Sequence, residues 1–249
     1  MRKLSCMPDG FERVDTYNAA MQSNARVRPV STAPLHERVY DELRTSIVRG
    51  RFAPGERVTI RELAAQFGTS AMPVRDALTR LVAERAVEMP SSRAFRIPLM
   101  SRSEFVSLCE FRVLIECHAV TLATPLVTPA ELAAVEKLNN EVTRHFKAGN
   151  YEATLDANAE FLFTIYRASR ESIVVSYIES LWLRSGPYLL IRLQRMAEAK
   201  DAGRLRSIGH HQELLDALRR RNSRAAAHAL KHDIAETMTT YLPEGLLAG

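Results

Sequence analysis

Arg75 and Thr79 lie one helical turn apart in the segment Ser70-Ala71-Met72-Pro73-Val74-Arg75-Asp76-Ala77-Leu78-Thr79. The apolar residues Val74, Leu78 and Leu81 fall on the other side of the same helix. A guanidinium followed one turn later by a hydroxyl presents donors in a row, and on a short braced helix that is the chemistry that reads base edges in a major groove or clamps a phosphate. Ser70 and Met72 stand at the end of the helix that enters a groove first, and Arg61, early in the preceding helical segment, is placed for a contact to the nucleic-acid backbone. The alternative for Arg75 is a surface pair with Asp76 or with a neighbour such as Glu84.

A second kind of chemistry comes from polar residues standing alone among apolar ones. Phe105, Leu108, Arg112, Ile115, Ala119 and Leu122 alternate spacings of three and four and share one helical stripe, with Arg112 its only charge. Asn158 occupies the same position in the stripe Tyr151, Leu155, Leu162, Ile165, and His211 in Ile208, Leu215, Leu218. A guanidinium taken out of water requires a fixed anion, and Glu116, one turn on, is expected to supply it as a helix surface pair. One such residue is ordinary core chemistry. Three on three helices point to a wet internal pocket.

The elements that must position these groups follow from periodicity. Residues 1–33 lack a sustained pattern and end in Arg-Val-Arg-Pro-Val-Ser-Thr-Ala, which reads as a mobile basic arm. Leu35, Val39, Leu43 and Ile47 recur every fourth residue up to Gly50, giving a first helix with a glycine stop. Ala53-Pro54-Gly55-Glu56 is a turn, and Thr59 with Glu62 caps a second helix through Phe67. Gly68-Thr69-Ser70 separates it from the third helix, a helix-turn-helix arrangement. Val87-Glu88-Met89 and Phe95-Arg96-Ile97 flank Pro90 to Ala94 as a small hairpin. Beyond Leu99 only helical patterns occur, with starts at Ser103, Thr128, Asn150, Ser172, Pro187 or Tyr188, Leu205 and Ser223.

Composition limits the classes of function. The 249 residues are 46% apolar and 25% charged, enough for two modest globular domains. No stretch has the unbroken apolar length of a membrane helix, and the first residues carry acids and Gly where an export signal has its apolar core, so a cytoplasmic protein without membrane association is expected. Cys6, Cys109 and Cys117 have no metal-knuckle spacing and read as free thiols. Residues 1–33 hold five basic and three acidic groups, 34–99 eleven and eight, and 100–249 eighteen of each. The whole excess of positive charge lies in the first hundred residues, where a polyanion would be met.

Residues 35–99 resemble the winged helix-turn-helix of the GntR family. The match is carried by Val39-Tyr40, Leu43-Arg44, Ile47, Gly50, Pro54-Gly55, Arg61-Glu62-Leu63-Ala64, Ser70, Pro73-Val74-Arg75 and Ala77-Leu78. The resemblance implies DNA contacts from Arg61, Ser70, Met72, Pro73, Arg75 and the wing, including Arg93. Ala71 and Ala94 depart from the family pattern, which usually has an Arg at the first position and a Gly at the second. Residues 103–243 resemble the FCD effector domain of one branch of that family, through Arg112 and Glu116, Phe161 with Ile165-Tyr166 and Ala168-Ser169, and His211 with Leu214-Leu215 and Ala217-Leu218.

Many FCD domains hold a divalent metal with one Asp and three His. The matching positions here are Asn158, Leu162, His211 and Asp233, an incomplete set, so no tightly bound metal or other cofactor is expected.

The expected architecture is mainly α. A mobile arm (1–33) precedes a winged helix-turn-helix of three helices and a small β-hairpin (34–99), followed by an all-α bundle of six or seven helices (100–249). The expected function is a homodimeric, sequence-specific regulator on a palindromic duplex, controlled by a small carboxylate held by Arg112, Asn158, His211 and Asp233. The alternative is an all-α metal-dependent enzyme with an accessory DNA-binding domain, for which the pairs His210-His211 and His228 with His232 are the best material.

Overall fold

The computed structural model describes residues 34–91, 94–198 and 203–239; the expected basic arm, Cys6 and Arg93 lie outside them. Leu35–Val48 forms α1, with Val39, Leu43 and Ile47 buried as their spacing requires. A two-residue strand β1 (Arg57–Val58) follows the Pro54-Gly55 turn, then α2 (Ile60–Phe67) and α3 (Ala71–Ala83). Thr59 caps α2 by accepting from the Glu62 N–H, and Gly68 ends it in the left-handed conformation that glycine adopts without a Cβ clash. The hairpin is β2 (Glu88–Ser91) and β3 (Ala94–Arg96). All three strands are antiparallel in the order β1-β3-β2, with Arg57 opposite Arg96 and Val58 opposite Phe95. The sequence expectation left out β1, because two residues give no periodicity.

Among the described residues six helices follow, within the expected six or seven: α4 (Arg102–Leu126), α5 (Pro129–Lys147), α6 (Tyr151–Arg167), α7 (Ser172–Glu198), α8 (Gly203–Arg219) and α9 (Ser223–Thr239). Reciprocal capping boxes open α4 (Ser101 with Glu104) and α5 (Thr128 with Glu131). The cap of α4 is therefore two residues earlier than the expected start at Ser103.

The larger correction is in α7. A helix start at Pro187 or Tyr188 is overturned, because α7 runs through Pro187 without a break. Proline costs one intrahelical hydrogen bond. Burial of Trp182, Leu183 and Tyr188 on the same segment outweighs that loss and carries the helix through.

Helix α7 is also the seat of the N-terminal unit. Leu183 belongs to the core built by Leu43, Ile47, Val74, Leu78, Leu81 and Phe95. A Cβ on Gly186 would collide with the Ile47 carbonyl oxygen and stand 2.6 Å from that of Val48, so only glycine permits this approach of α7 to the end of α1. Gly50, at φ +67°, turns the chain away at the same point. Around this contact Arg44 pairs with Glu179 (3.2 Å), Arg49 with Glu160 (3.1 Å) and Arg51 with Asp156 (3.4 Å). The Tyr188 hydroxyl accepts from the Met100 N–H at 2.8 Å, which fixes the passage from sheet to bundle.

Candidate DNA-reading face and effector cavity

On α3 the apolar side is fully used: Val74, Leu78 and Leu81 are buried, while Arg75 and Thr79 are exposed. Glu84, one possible partner for Arg75, is engaged elsewhere. It accepts from the Tyr40 hydroxyl at 2.6 Å and pairs with Arg80, whose guanidinium lies 3.7 Å from the Tyr40 ring centroid. Burial and the Glu84 bond push the Tyr40 phenol up to about 12, so it remains a donor. Arg75 has no ion pair among the described residues. The Thr79 hydroxyl donates back to the Arg75 carbonyl at 2.8 Å, leaving its oxygen as an acceptor only.

Ser70 is the N-cap residue of α3, but its side chain makes no capping hydrogen bond. Pro73, at the third helical position, has no N–H for Ser70 to cap, and Ser70, Ala71 and Met72 are all exposed, which leaves the hydroxyl and the N–H groups of Ala71 and Met72 accessible to an anion. Met72 is 64% exposed, Pro73 half-buried and Arg61 exposed. Helix α3 brings Ser70, Met72, Pro73, Arg75 and Thr79 together, and Arg61 lies on α2. The wing residues Glu88 and Arg96 pair with each other across the sheet.

In the bundle, Arg112, Asn158, His211 and Asp233 line one cavity of about 60 Å³ between α4, α5, α6, α7, α8 and α9, walled by Val142, Phe146, Leu155, Leu162, Leu193 and Ile234. Four residues singled out on four helices thus converge. Two details differ from expectation. Glu116 is wholly buried rather than at the surface. Its carboxylate accepts from Arg112 Nε at 2.6 Å, from Trp182 Nε1 at 3.0 Å and from the Tyr166 hydroxyl, and Arg112 also lies 4.9 Å from the Trp182 ring centroid. Cys109, Arg112, Glu116, Ala119 and Ala123 also alternate spacings of three and four, a pattern that could have placed Glu116 inside.

The second detail is Arg192 on α7, which sequence reasoning missed. It is 8% exposed, lines the cavity, and its Nε and Nη2 have no hydrogen-bond partner. The only signal was one charge within the apolar run Tyr188-Leu-Leu-Ile-Arg-Leu193, and assigning a helix start at Pro187 hid it.

His211 stacks on Phe161 with ring centroids 4.7 Å apart; its Nε2 lies 3.9 Å from Asp233 Oδ2, and its Nδ1 has no partner. Burial lowers its pKa, and the Arg192 and His210 charges lower it further against the opposing pull of Asp233, so the ring is held neutral. Burial pushes the thiols of Cys109 and Cys117, both free, up to about 11.

These residues do not fit a divalent metal. The buried Leu162 presents methyl groups where a donor is needed, and Asn158 has only a weak amide oxygen. No group of three metal-ligating side chains forms among the described residues. The alternative pair His228 and His232 touches Nε2 to Nε2 at 3.2 Å on the exposed side of α9, away from the cavity. No described helix is long and apolar enough to cross a membrane.

Residues 35–97 match the model of the bacterial regulatory proteins of the gntR family, and residues 107–236 that of the FCD domain. The HTH-type transcriptional regulator McbR of Escherichia coli K12 is 32% identical over 193 residues, covering 77% of this chain and 86% of that protein. The Nta operon transcriptional regulator of Aminobacter aminovorans is 30% identical over 190 residues, 73% of this chain and 84% of the relative. Among solved structures, E. coli McbR/YncC superposes with a TM-score of 0.75 at 30% identity, over 83% of this chain and 96% of that one.

Proposed function

Since the chain belongs to the GntR family of bacterial transcription regulators, in the branch with an FCD domain, we propose that a small organic anion bound in the bundle cavity sets its affinity for a two-fold symmetric operator. In this reading residues 34–99 are the reading head and 100–249 the effector and dimerisation domain. Arg61, Ser70, Met72, Pro73, Arg75, Thr79 and Arg93 meet the duplex, with Arg75 on a base edge or phosphate. Arg112, Asn158, His211 and Asp233 line the effector site without a metal. The cavity binds and does not react.

One observation carries this reading: a single helix serves both sites. Helix α7 lines the cavity with Trp182, Leu189, Arg192 and Leu193, and through Leu183, Gly186 and Glu179 it also seats α1 of the head. A ligand that draws on the cavity side of α7 acts on the support of the reading helix. It changes DNA affinity only if it binds two arrangements of the head unequally. A homodimer supplies the second reading helix that a symmetric operator requires. Phe111 and Leu114 on α4 and Ile173 and Tyr177 on α7 are exposed apolar side chains of the kind a dimer buries.

Selection of duplexes from a random pool tests the reading. Inverted repeats are expected, with an affinity that shifts when small carboxylates are added. Asymmetric sequences, or isotherms indifferent to every acid, would contradict it.

A further inference from the structure

Two arginines are buried at this cavity, and one shows how the other is used. Arg112 meets Glu116 through Nε (2.6 Å) and Nη2 (3.4 Å), the edge of the guanidinium that matches the two oxygens of a carboxylate side by side. On Arg192 the same two nitrogens, Nε and Nη2, are buried without a partner. A guanidinium edge removed from water and left unpaired is unfavourable by the same desolvation argument that explains the Arg112 pair. Arg192 opens onto the cavity, and no carboxylate meets its Nε–Nη2 edge, Asp233 on the same lining included.

We propose that the Nε–Nη2 edge of Arg192 is the anion anchor of the cavity, and that it holds a planar carboxylate side-on without a metal ion. The proposal rests on the reading of the cavity as the effector site and moves the anchoring charge from Arg112, whose edge Glu116 occupies, to the facing wall on α7. His211 Nδ1, also buried and unpartnered, is a second polar point in the same space. A group beside the carboxylate, such as a 2-hydroxyl, meets it. Apart from Arg112, Thr154, Asn158 and Asp233, the rest of the lining of this cavity of about 60 Å³ is apolar. The ligand class is therefore a small carboxylic acid whose aliphatic part lies against the apolar lining.

The anchor also connects the ligand to the head. Arg192 follows Gly186 by six residues on α7, so a carboxylate that fixes Arg192 fixes the helix whose Gly186 touches the Ile47 and Val48 carbonyls.

The test uses the full-length protein, calorimetry and thermal melting, with acetate, propionate, 2-hydroxypropionate and the neutral propionamide as probes, each with and without a chelator. Propionate and 2-hydroxypropionate should raise Tm, 2-hydroxypropionate more, with no effect of chelator and none from the amide. Arg192→Met should weaken propionate about a hundredfold, for two charge-assisted hydrogen bonds lost, and Arg192→Lys, which keeps the charge but not the fork, by about tenfold. Without ligand, Arg192→Met should melt no lower than the wild type, because the edge it removes has no protein partner. A lower ligand-free Tm would mark Arg192 as structural and overturn the proposal. So would full-strength propionate binding by Arg192→Met, dependence on a metal, or a wild type that none of the acids stabilises. If propionate binds through Arg192 while duplex affinity stays unchanged, the anchor stands and the proposed control of DNA binding fails. If binding survives Arg192→Met while duplex affinity still responds, the reverse holds.

Discussion

Among the described residues Arg75 on the reading helix has no ion pair and the Nε–Nη2 edge of Arg192 in the cavity has no partner, but only one of the two arginines is in water. Arg75 is solvated on the exposed side of α3, and leaving it unpaired costs the folded chain little. Arg192 is buried, so its unpaired edge is a standing penalty unless something else occupies it. The same side chain therefore carries different information in the two regions. An exposed free arginine is compatible with DNA and with nothing at all, whereas a buried free edge beside a cavity points to a ligand. Arg112 is the third case, a buried arginine already satisfied by Glu116.

The comparison can be broken first at Glu116. Glu116→Gln removes the carboxylate charge from Arg112 and leaves that guanidinium buried without its counter-ion; we expect about 3–5 kcal/mol of lost stability by denaturant unfolding. A loss under about 1 kcal/mol would mean that the cavity walls behave like a surface, and the contrast would collapse.

Arg75→Ala examines the other side. It should leave stability unchanged and weaken operator binding by about 1–3 kcal/mol if Arg75 reads a base. An unchanged isotherm and salt slope would show that its exposure carries no function.

The joint between the regions is Gly186. A methyl there meets two carbonyl oxygens of α1, so Gly186→Ala should cost about 1–3 kcal/mol of stability, the usual range for overpacking. It should also alter duplex affinity while propionate binding to the cavity persists. Equal duplex affinity with and without the methyl would argue that α7 does not position the head.

The smallest effect concerns pH. The folded-state pKa of His211 lies below its ordinary value of 6.5, so the unfolded chain takes up the proton first as pH falls. Its contribution to stability is intact above about 6.5 and declines as pH drops below it. Melting curves at pH 8 and pH 5.5 should therefore differ more in the wild type than in His211→Gln. An identical difference in both would remove His211 from the account.

How far each region could be read from sequence follows the same division. The head was legible because its determinants are local: a four-residue apolar repeat in α1, a cap at Thr59, a glycine at 68 and three inward residues on α3. The convergence of Arg112, Asn158 and His211 was also legible, since a lone polar residue on an apolar stripe betrays its direction, whereas Asp233 was reached only through the resemblance to the FCD domain. What escaped was pairing between distant elements. The role of Glu116 depends on Tyr166 and Trp182, fifty and sixty-six residues away. Arg192 was hidden because Pro187 ends helices in isolation, and only the packing of Leu183, Gly186 and Tyr188 carries α7 through it.

The central claim is that cavity and reading face are coupled, and a coupling must be reciprocal. The most direct measurement is the propionate Kd of the full-length protein by calorimetry, alone and saturated with its selected duplex, set beside the duplex Kd with and without saturating propionate. The account predicts that both ratios depart from one by the same factor, and that the factor is lost in Arg192→Met. A propionate Kd that the duplex leaves unchanged would contradict it.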